Sequence, residues 1–146
     1  MPKLLIFVPC EKIIIDAGGN ASLIVLLQDI GLEVPAKTPV PREAVTPKEW
    51  AIFTAWKIAT EDFGRTFKQV VQLLWPDGKE FKNGAIGFVP EDKKAVHQIQ
   101  MNIVGFPVGQ VGPITINMWL EDKEKKIGEV YSYIMNVTHK ESQGTL

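Results

Sequence analysis

The stretch Phe67–Gly78, FKQVVQLLWPDG, decides the fold class of this chain. Apolar side chains recur at every second position as far as Trp75, which is typical of one buried face of a β-strand, and Gln69 is the polar break in that face. Trp75-Pro76-Asp77-Gly78 then supplies a turn, because proline presets φ at the second position of a type I turn and glycine suits the fourth. The stretch therefore predicts a strand that ends at a tight turn.

The same period of two recurs along the chain, with turn residues between the periodic segments. Short strands at this spacing predict an all-β fold, an antiparallel two-sheet β-sandwich of about eight strands with immunoglobulin-like or jelly-roll-like topology. A closed β-barrel is the alternative. The 146 residues fit one domain, residues 1–146, with a flexible tail from about residue 140. The other periodic segments are Trp50–Ala59, His97–Ile103, Ile114–Leu120 and Tyr131–Val137.

The N-terminal third predicts a long hairpin followed by a crossing between sheets. The apolar runs Leu4–Val8 and Ile13–Ile15 suggest strands that are buried on both faces. Asp16–Asn20 supplies a turn and Ser22–Ile30 the returning strand. The proline-rich segment Pro35–Pro47 cannot donate regularly to a ladder, and we expect it to connect one sheet to the other.

Gly105–Pro113, GFPVGQVGP, has the glycine content of a ligand-binding loop. A phosphate-binding loop leads into the N-terminus of a helix, where amides and dipole converge on the anion. Here the loop leads instead into the alternating residues that begin at Ile114, and prolines remove amide donors. We interpret Gly105 and Gly112 as bends at the two ends of a second crossing between sheets, with Phe106 and Val108 packed beneath it.

Taken together, these turns and strand starts resemble a family of small bacterial β-sandwich proteins of unknown function. The resemblance extends over roughly residues 4 to 137 and implies the sandwich fold without implying any catalytic or ligand-binding residue. The features that carry it are Gly18-Gly19 before Ser22-Leu23-Ile24, the Trp75–Gly78 turn, His97 at the start of an alternating strand, and Gly105-Phe106-Pro107-Val108 before Gly112.

Composition excludes some classes of function. Sixteen Lys and Arg against seventeen Asp and Glu give a net charge of −1, which argues against nucleic acid as a partner. No apolar segment approaches the ~18–20 residues of a membrane span, so no membrane partner is expected. The single cysteine, Cys10, precludes a disulfide within the chain and suggests a reducing, cytoplasmic location.

The sequence predicts no catalytic residue, cofactor or metal. Cys10 with His97 or His139 would be needed for a thiol hydrolase, but the pattern favours a buried cysteine and a structural histidine that bonds a backbone carbonyl. The acidic pairs Glu61-Asp62 and Glu121-Asp122 could bind calcium, although adjacent acids in a connecting loop are typical of solvated turns.

Three residues are candidates for an interface. Trp119 falls with Thr115 and Asn117 on the polar face of its strand, and exposed tryptophan is enriched at binding hot spots. Alternatively, the Pro35–Pro47 loop covers Trp119. We therefore expect a non-enzymatic module that binds itself or another protein. The second hypothesis is a small-ligand binder whose pocket is formed by the end loops Asp16–Asn20, Trp75–Gly78 and Gly105–Gly112.

Overall fold

Two β-sheets form the molecule. The computed structural model describes residues 1–142, and among them the only helical element is a single 3-10 turn at Thr60–Asp62. No helix in that part of the chain has the length and apolarity to cross a bilayer. The nine strands are β1 (Lys3–Ile15), β2 (Ala21–Leu26), β3 (Asp29–Pro35), β4 (Val45–Lys57), β5 (Phe67–Leu74), β6 (Glu80–Phe88), β7 (Val96–Pro107), β8 (Gly112–Asp122) and β9 (Lys125–Ser142).

The strands form a four-stranded sheet of order β2-β1-β4-β7 and a five-stranded sheet of order β3-β9-β8-β5-β6. The prediction of an all-β, two-sheet sandwich is confirmed, with nine strands where about eight were expected. The sheets are not wholly antiparallel, because β3 runs parallel to β9, with Asp29 opposite Asn136 and Val34 opposite Glu141. The expected tail from residue 140 begins inside β9, and residues 143–146 lie outside the described residues.

The chain changes sheet five times. Both crossings that the sequence predicts are confirmed: residues 36–44 join β3 to β4, and residues 108–111 join β7 to β8. Gly105 and Gly112 lie near the two ends of the second crossing. Their φ values are 100° and 130°, in a region that L residues other than glycine rarely adopt. Phe106 and Val108 are buried against the core as expected.

The expectation that one returning strand covers Ser22–Ile30 is wrong, because the observed strand is shorter. The turn at Asp16–Asn20 does close an antiparallel hairpin of β1 and β2, with Lys12 opposite Ile24. However, β2 ends at Leu26, and the chain passes through buried Leu27 into β3 of the other sheet. The apolar run Leu23–Leu27 continues past the end of β2 and hides this break, and Gln28 and Asp29 are the first polar residues after it.

The interior lies between the two sheets and follows the predicted alternation. Trp50, Ile52 and Trp56 of β4 face Phe67, Val71 and Leu73 of β5 across it. The Trp75–Gly78 turn is also confirmed, since the Gly78 amide donates to the Trp75 carbonyl at 2.9 Å. The remaining fully buried members of the core include Phe106, Ile114, Ile116, Met118, Met135 and Val137.

Gln69, the polar break in β5, joins the two sheets inside this core. Its Oε1 accepts hydrogen bonds from Thr54 Oγ1 at 2.7 Å and from Trp56 Nε1 at 2.9 Å, both on β4. Its Nε2 contacts the Met101 sulfur of β7 at 3.3 Å. Gln69 and Thr54 have no solvent exposure, so each would otherwise bury an unsatisfied polar group.

We predict that Gln69→Leu lowers the free energy of unfolding by about 2–6 kcal/mol, because two buried donors lose their acceptor at ~1–3 kcal/mol each. Urea unfolding measures the loss. Thr54→Val combined with Gln69→Leu removes one stranded donor and should recover part of the stability. A double variant that is less stable than Gln69→Leu alone would contradict the role assigned to this amide.

Candidate interaction surface

The three predicted interface residues lie together on the outer face of β8. Thr115, Asn117 and Trp119 are half-buried, while the alternate residues of the strand point into the core. The Trp119 indole donates to Glu121 Oε2 at 3.0 Å, and Lys126 Nζ lies 4.6 Å from its ring centroid. Lys126 of β9, not the loop at 36–44, therefore covers this tryptophan.

A row of polar side chains crosses the same face beside Trp119. Ser132 Oγ donates to Asn117 Oδ1 at 2.6 Å, and Asn117 Nδ2 lies 3.5 Å from Gln72 Oε1. Gln72 in turn donates to Glu80 Oε1 at 3.2 Å. The polar groups of the row are satisfied by one another, so the face has little unsatisfied hydrogen-bonding capacity for a partner.

The β1–β2 hairpin presents a different surface. Sequence analysis predicts that Ile13–Ile15 is buried on both faces, and this is wrong: Ile14 and Ile15 are 45% and 48% exposed. On β2, Ile24, Val25 and Leu26 are 40%, 54% and 50% exposed. Leu5 and Ile6 of the other apolar run are also exposed, so this expectation fails for both runs. Exposed apolar side chains are concentrated on this hairpin and its flank.

Val25 has an unusual backbone at the centre of this surface. Its φ is 56°, in the left-handed region that β-branched residues rarely adopt because the side chain crowds the backbone. Such strain costs of order 1–3 kcal/mol and is concentrated at functional sites. The sequence signal that identifies this surface is an uncharged apolar strand that follows a glycine turn, although the same pattern also fits a buried strand.

β2 is the least protected of the four sheet edges. Edge strands usually carry charges or proline that block pairing with another chain. β3 carries Glu33 and ends at Pro35, and β6 begins with Glu80 and contains Lys82. On β7, the Lys82 ammonium occupies the Val104 carbonyl at 3.0 Å. Within Ala21–Leu26 there is no charged residue and no proline.

The residues of the thiol-hydrolase hypothesis are not brought together. Cys10 is buried, and burial raises the pKa of its thiol. Cys10 pairs with Ala51 and His97 with Trp56, which places them on opposite faces of the four-stranded sheet. His139 lies in the other sheet, with Nε2 2.5 Å from the Val108 carbonyl.

The acidic pairs are used in ion pairs and turns. Asp62 is buried, where it accepts the Ala59 amide at 3.0 Å and lies 2.9 Å from the Met1 amino group. Asp122 pairs with Arg65 across the five-stranded sheet. Within residues 1–142 there is no group of three or more His, Cys, Asp or Glu side chains placed to hold a metal.

Two of the three predicted end loops meet. The Asp77 amide donates to Gln110 Oε1 at 3.2 Å, so the Trp75–Gly78 turn and the 108–111 crossing lie side by side. Gly109 packs so closely on residues 41 and 42 that a Cβ would overlap the carbonyl oxygens of Pro41 and Arg42. The third loop, Asp16–Asn20, lies elsewhere and lines a groove with Phe53 and His97.

His97 stacks on Phe88, with ring centroids 4.7 Å apart. Burial lowers its pKa below the ordinary value of 6.5, the Lys94 charge lowers it further, and Glu91 opposes them. The histidine is half-buried, as expected, and its contact is with an aromatic ring where a backbone carbonyl was expected.

We predict that the free energy of unfolding falls as pH decreases below about 6.5, because the unfolded chain binds a proton that folded His97 resists. The loss should level off below the folded pKa. Urea unfolding at pH 7.5 and pH 5 measures it, with His97→Gln as the comparison. An equal pH dependence in His97→Gln would contradict the assignment to His97.

We also predict that Gly109→Ala lowers stability by about 1–3 kcal/mol, because the added methyl must displace backbone. Gly31→Ala is the matched control, since its Cβ would meet only Thr138 Oγ1 at 3.8 Å. Thermal melting compares the two variants. Equal melting temperatures would show that the 41–42 segment moves away without cost.

No family model matches the chain, and no curated protein matches it. The resemblance to the bacterial β-sandwich family therefore stays a prediction that rests on the turns and strand starts quoted above.

Proposed function

We propose that this chain is a protein-interaction module that self-associates through the edge of β2. The observation that carries the proposal is the uncharged, apolar and exposed strand Ala21–Leu26 at the end of the four-stranded sheet. One side of its backbone pairs with β1, and its other side is the sheet edge. Unpaired edge groups are a template for another strand.

A second copy of the chain suits this edge. Two β2 strands related by a two-fold axis run antiparallel and present the same residues to each other, as a closed dimer requires. Because the strand carries no charge, such pairing places no like charges opposite one another. The exposed side chains of Ile14 and Ile15 extend the contact beyond the edge itself.

The outer face of β8 is the other candidate for protein contact. Trp119, Asn117 and Thr115 remain its proposed residues, and tryptophan is the residue type that most favours it. Lys126 over the Trp119 ring and the satisfied polar row make this surface less suited than β2. A reducing compartment such as the cytoplasm agrees with the single buried cysteine.

Sedimentation velocity over a range of concentrations tests the proposal. We expect a concentration-dependent dimer in the native protein and at least a tenfold weaker dimer in the double variant Ile24→Glu, Leu26→Glu. The antiparallel contact would bring the two new carboxylates of one copy close to those of the other, while Ile24→Glu lies opposite Lys12 within its own hairpin.

The control is the double variant Val89→Glu, Val130→Glu, because these side chains are similarly exposed, at 45% and 42%, away from β2. It should dimerise like the native protein. Trp119→Ala separates the two surfaces: a dimer lost in this variant and retained in the β2 variant would place the interface on β8. A native protein that stays monomeric at millimolar concentration would overturn self-association altogether.

A further inference from the structure

A cleft of about 600 Å³ lies at the end of the sandwich where the two crossings meet. Its volume falls within the ~300–1,000 Å³ that is typical of small-molecule sites. Four segments that are distant in sequence form its walls. They are the loop and strand end around residues 34–42, the turn at Pro76-Asp77, the crossing Gly109–Val111 and the end of β9 at residues 139–141.

Gln110 fixes the relative positions of three of these segments. Its Nε2 lies 3.4 Å from the Arg42 carbonyl oxygen and 3.3 Å from Asp77 Oδ2, and its Oε1 accepts the Asp77 amide. The side chain is buried, and the neighbouring Gly109 leaves no room between the crossing and residues 41 and 42. The floor of the cleft is therefore ordered before any ligand arrives, which lowers the entropic cost of binding.

Asp77 belongs to this framework through its carboxylate oxygens. Its Oδ1 accepts the Lys79 amide at 2.9 Å, and its Oδ2 lies 3.2 Å from the Arg42 guanidinium. The hydrogen bond from the Lys79 amide is the largest cause that lowers the pKa of Asp77 below its ordinary range. Burial opposes it, and the weaker bonds from Arg42 and Gln110 lower the pKa further. The carboxylate orients Arg42 at the mouth of the cleft.

The cations of the cleft exceed its anions. Lys37, Arg42 and Lys140 line it, against the carboxylates of Asp77 and Glu141. Within residues 1–142, Lys37 and Lys140 form no ion pair, and Arg42 uses its side chain for one bond, to Asp77. Most of the five donors of the guanidinium therefore remain for a ligand.

We propose that this cleft binds a small organic anion that carries carboxylate or phosphate groups. The fork of Arg42 pairs with either group, and the two lysines supply point charges around it. The apolar part of the lining suits the carbon skeleton of such a ligand. That part consists of Val34, Pro35, Val40, Pro76 and Val111. The site shares no residue with the β2 edge, so anion binding can be tested independently of self-association.

Amide chemical shifts report on binding in the intact protein. Titration with citrate and, separately, with pyrophosphate at low ionic strength should move the signals of Asp77, Gly109 and Gln110. The more tightly bound probe identifies the preferred group, carboxylate or phosphate. The double variant Lys37→Gln, Lys140→Gln should weaken that binding about tenfold, as expected for the loss of two partly screened charges.

The control is Lys3→Gln with Lys57→Gln, which removes two exposed lysines that lie opposite each other at the far end of the four-stranded sheet. It should bind the probe as the native protein does. The proposal is overturned if neither probe at 10 mM moves the cleft signals. It is also overturned if the control variant loses as much affinity as the cleft variant, because binding would then follow overall charge.

Discussion

The amide of Gln69 is the polar constraint on which the packing of the two sheets depends. An apolar interface between sheets permits small sliding, since its energy depends on buried area and little on direction. A single carbonyl oxygen that accepts from both Thr54 and Trp56 removes that freedom, because both donors are fully buried and must be satisfied together. It fixes β5 opposite β4, and so aligns one inner strand of each sheet.

With the centre aligned, the ends of the sandwich follow from the sheet crossings. β7 leaves the four-stranded sheet at the end where β4 enters it, and the two crossings meet where Gly109 contacts residues 41 and 42. The carbonyl of Ala44 accepts the amides of both Val108 and Gly109 at 3.0 and 3.1 Å, which joins the two crossings side by side. The cleft is the space that remains between these joined crossings and the end of β9.

The sequence predicts where the strands and turns lie better than it predicts which strands pair with each other. Period two identifies the strands around Trp50, Phe67 and Ile114, and the Trp75–Gly78 turn follows from residue chemistry alone. The apolar runs near Ile14 and Leu26 are the exception, since a continuous apolar strand can be buried on both faces or can be an exposed edge. Only the order of strands distinguishes these cases, and that order depends on pairings such as β3 with β9, more than one hundred residues apart.

The candidate sites also differ in how well the sequence identifies them. Trp119 is conspicuous in sequence because it interrupts a polar face, yet Lys126, seven residues along the chain, covers it. The cleft could not be foreseen as a whole, because its residues lie in segments without periodicity: Lys37, Arg42 and Gln110 in connections, and Lys140 in the expected tail. The β2 edge and the cleft both arise from the five changes of sheet. Because the chain leaves the four-stranded sheet after β2, this short strand stays at the sheet edge. The crossings between sheets place the connecting loops at the ends of the sandwich, where their polar side chains converge.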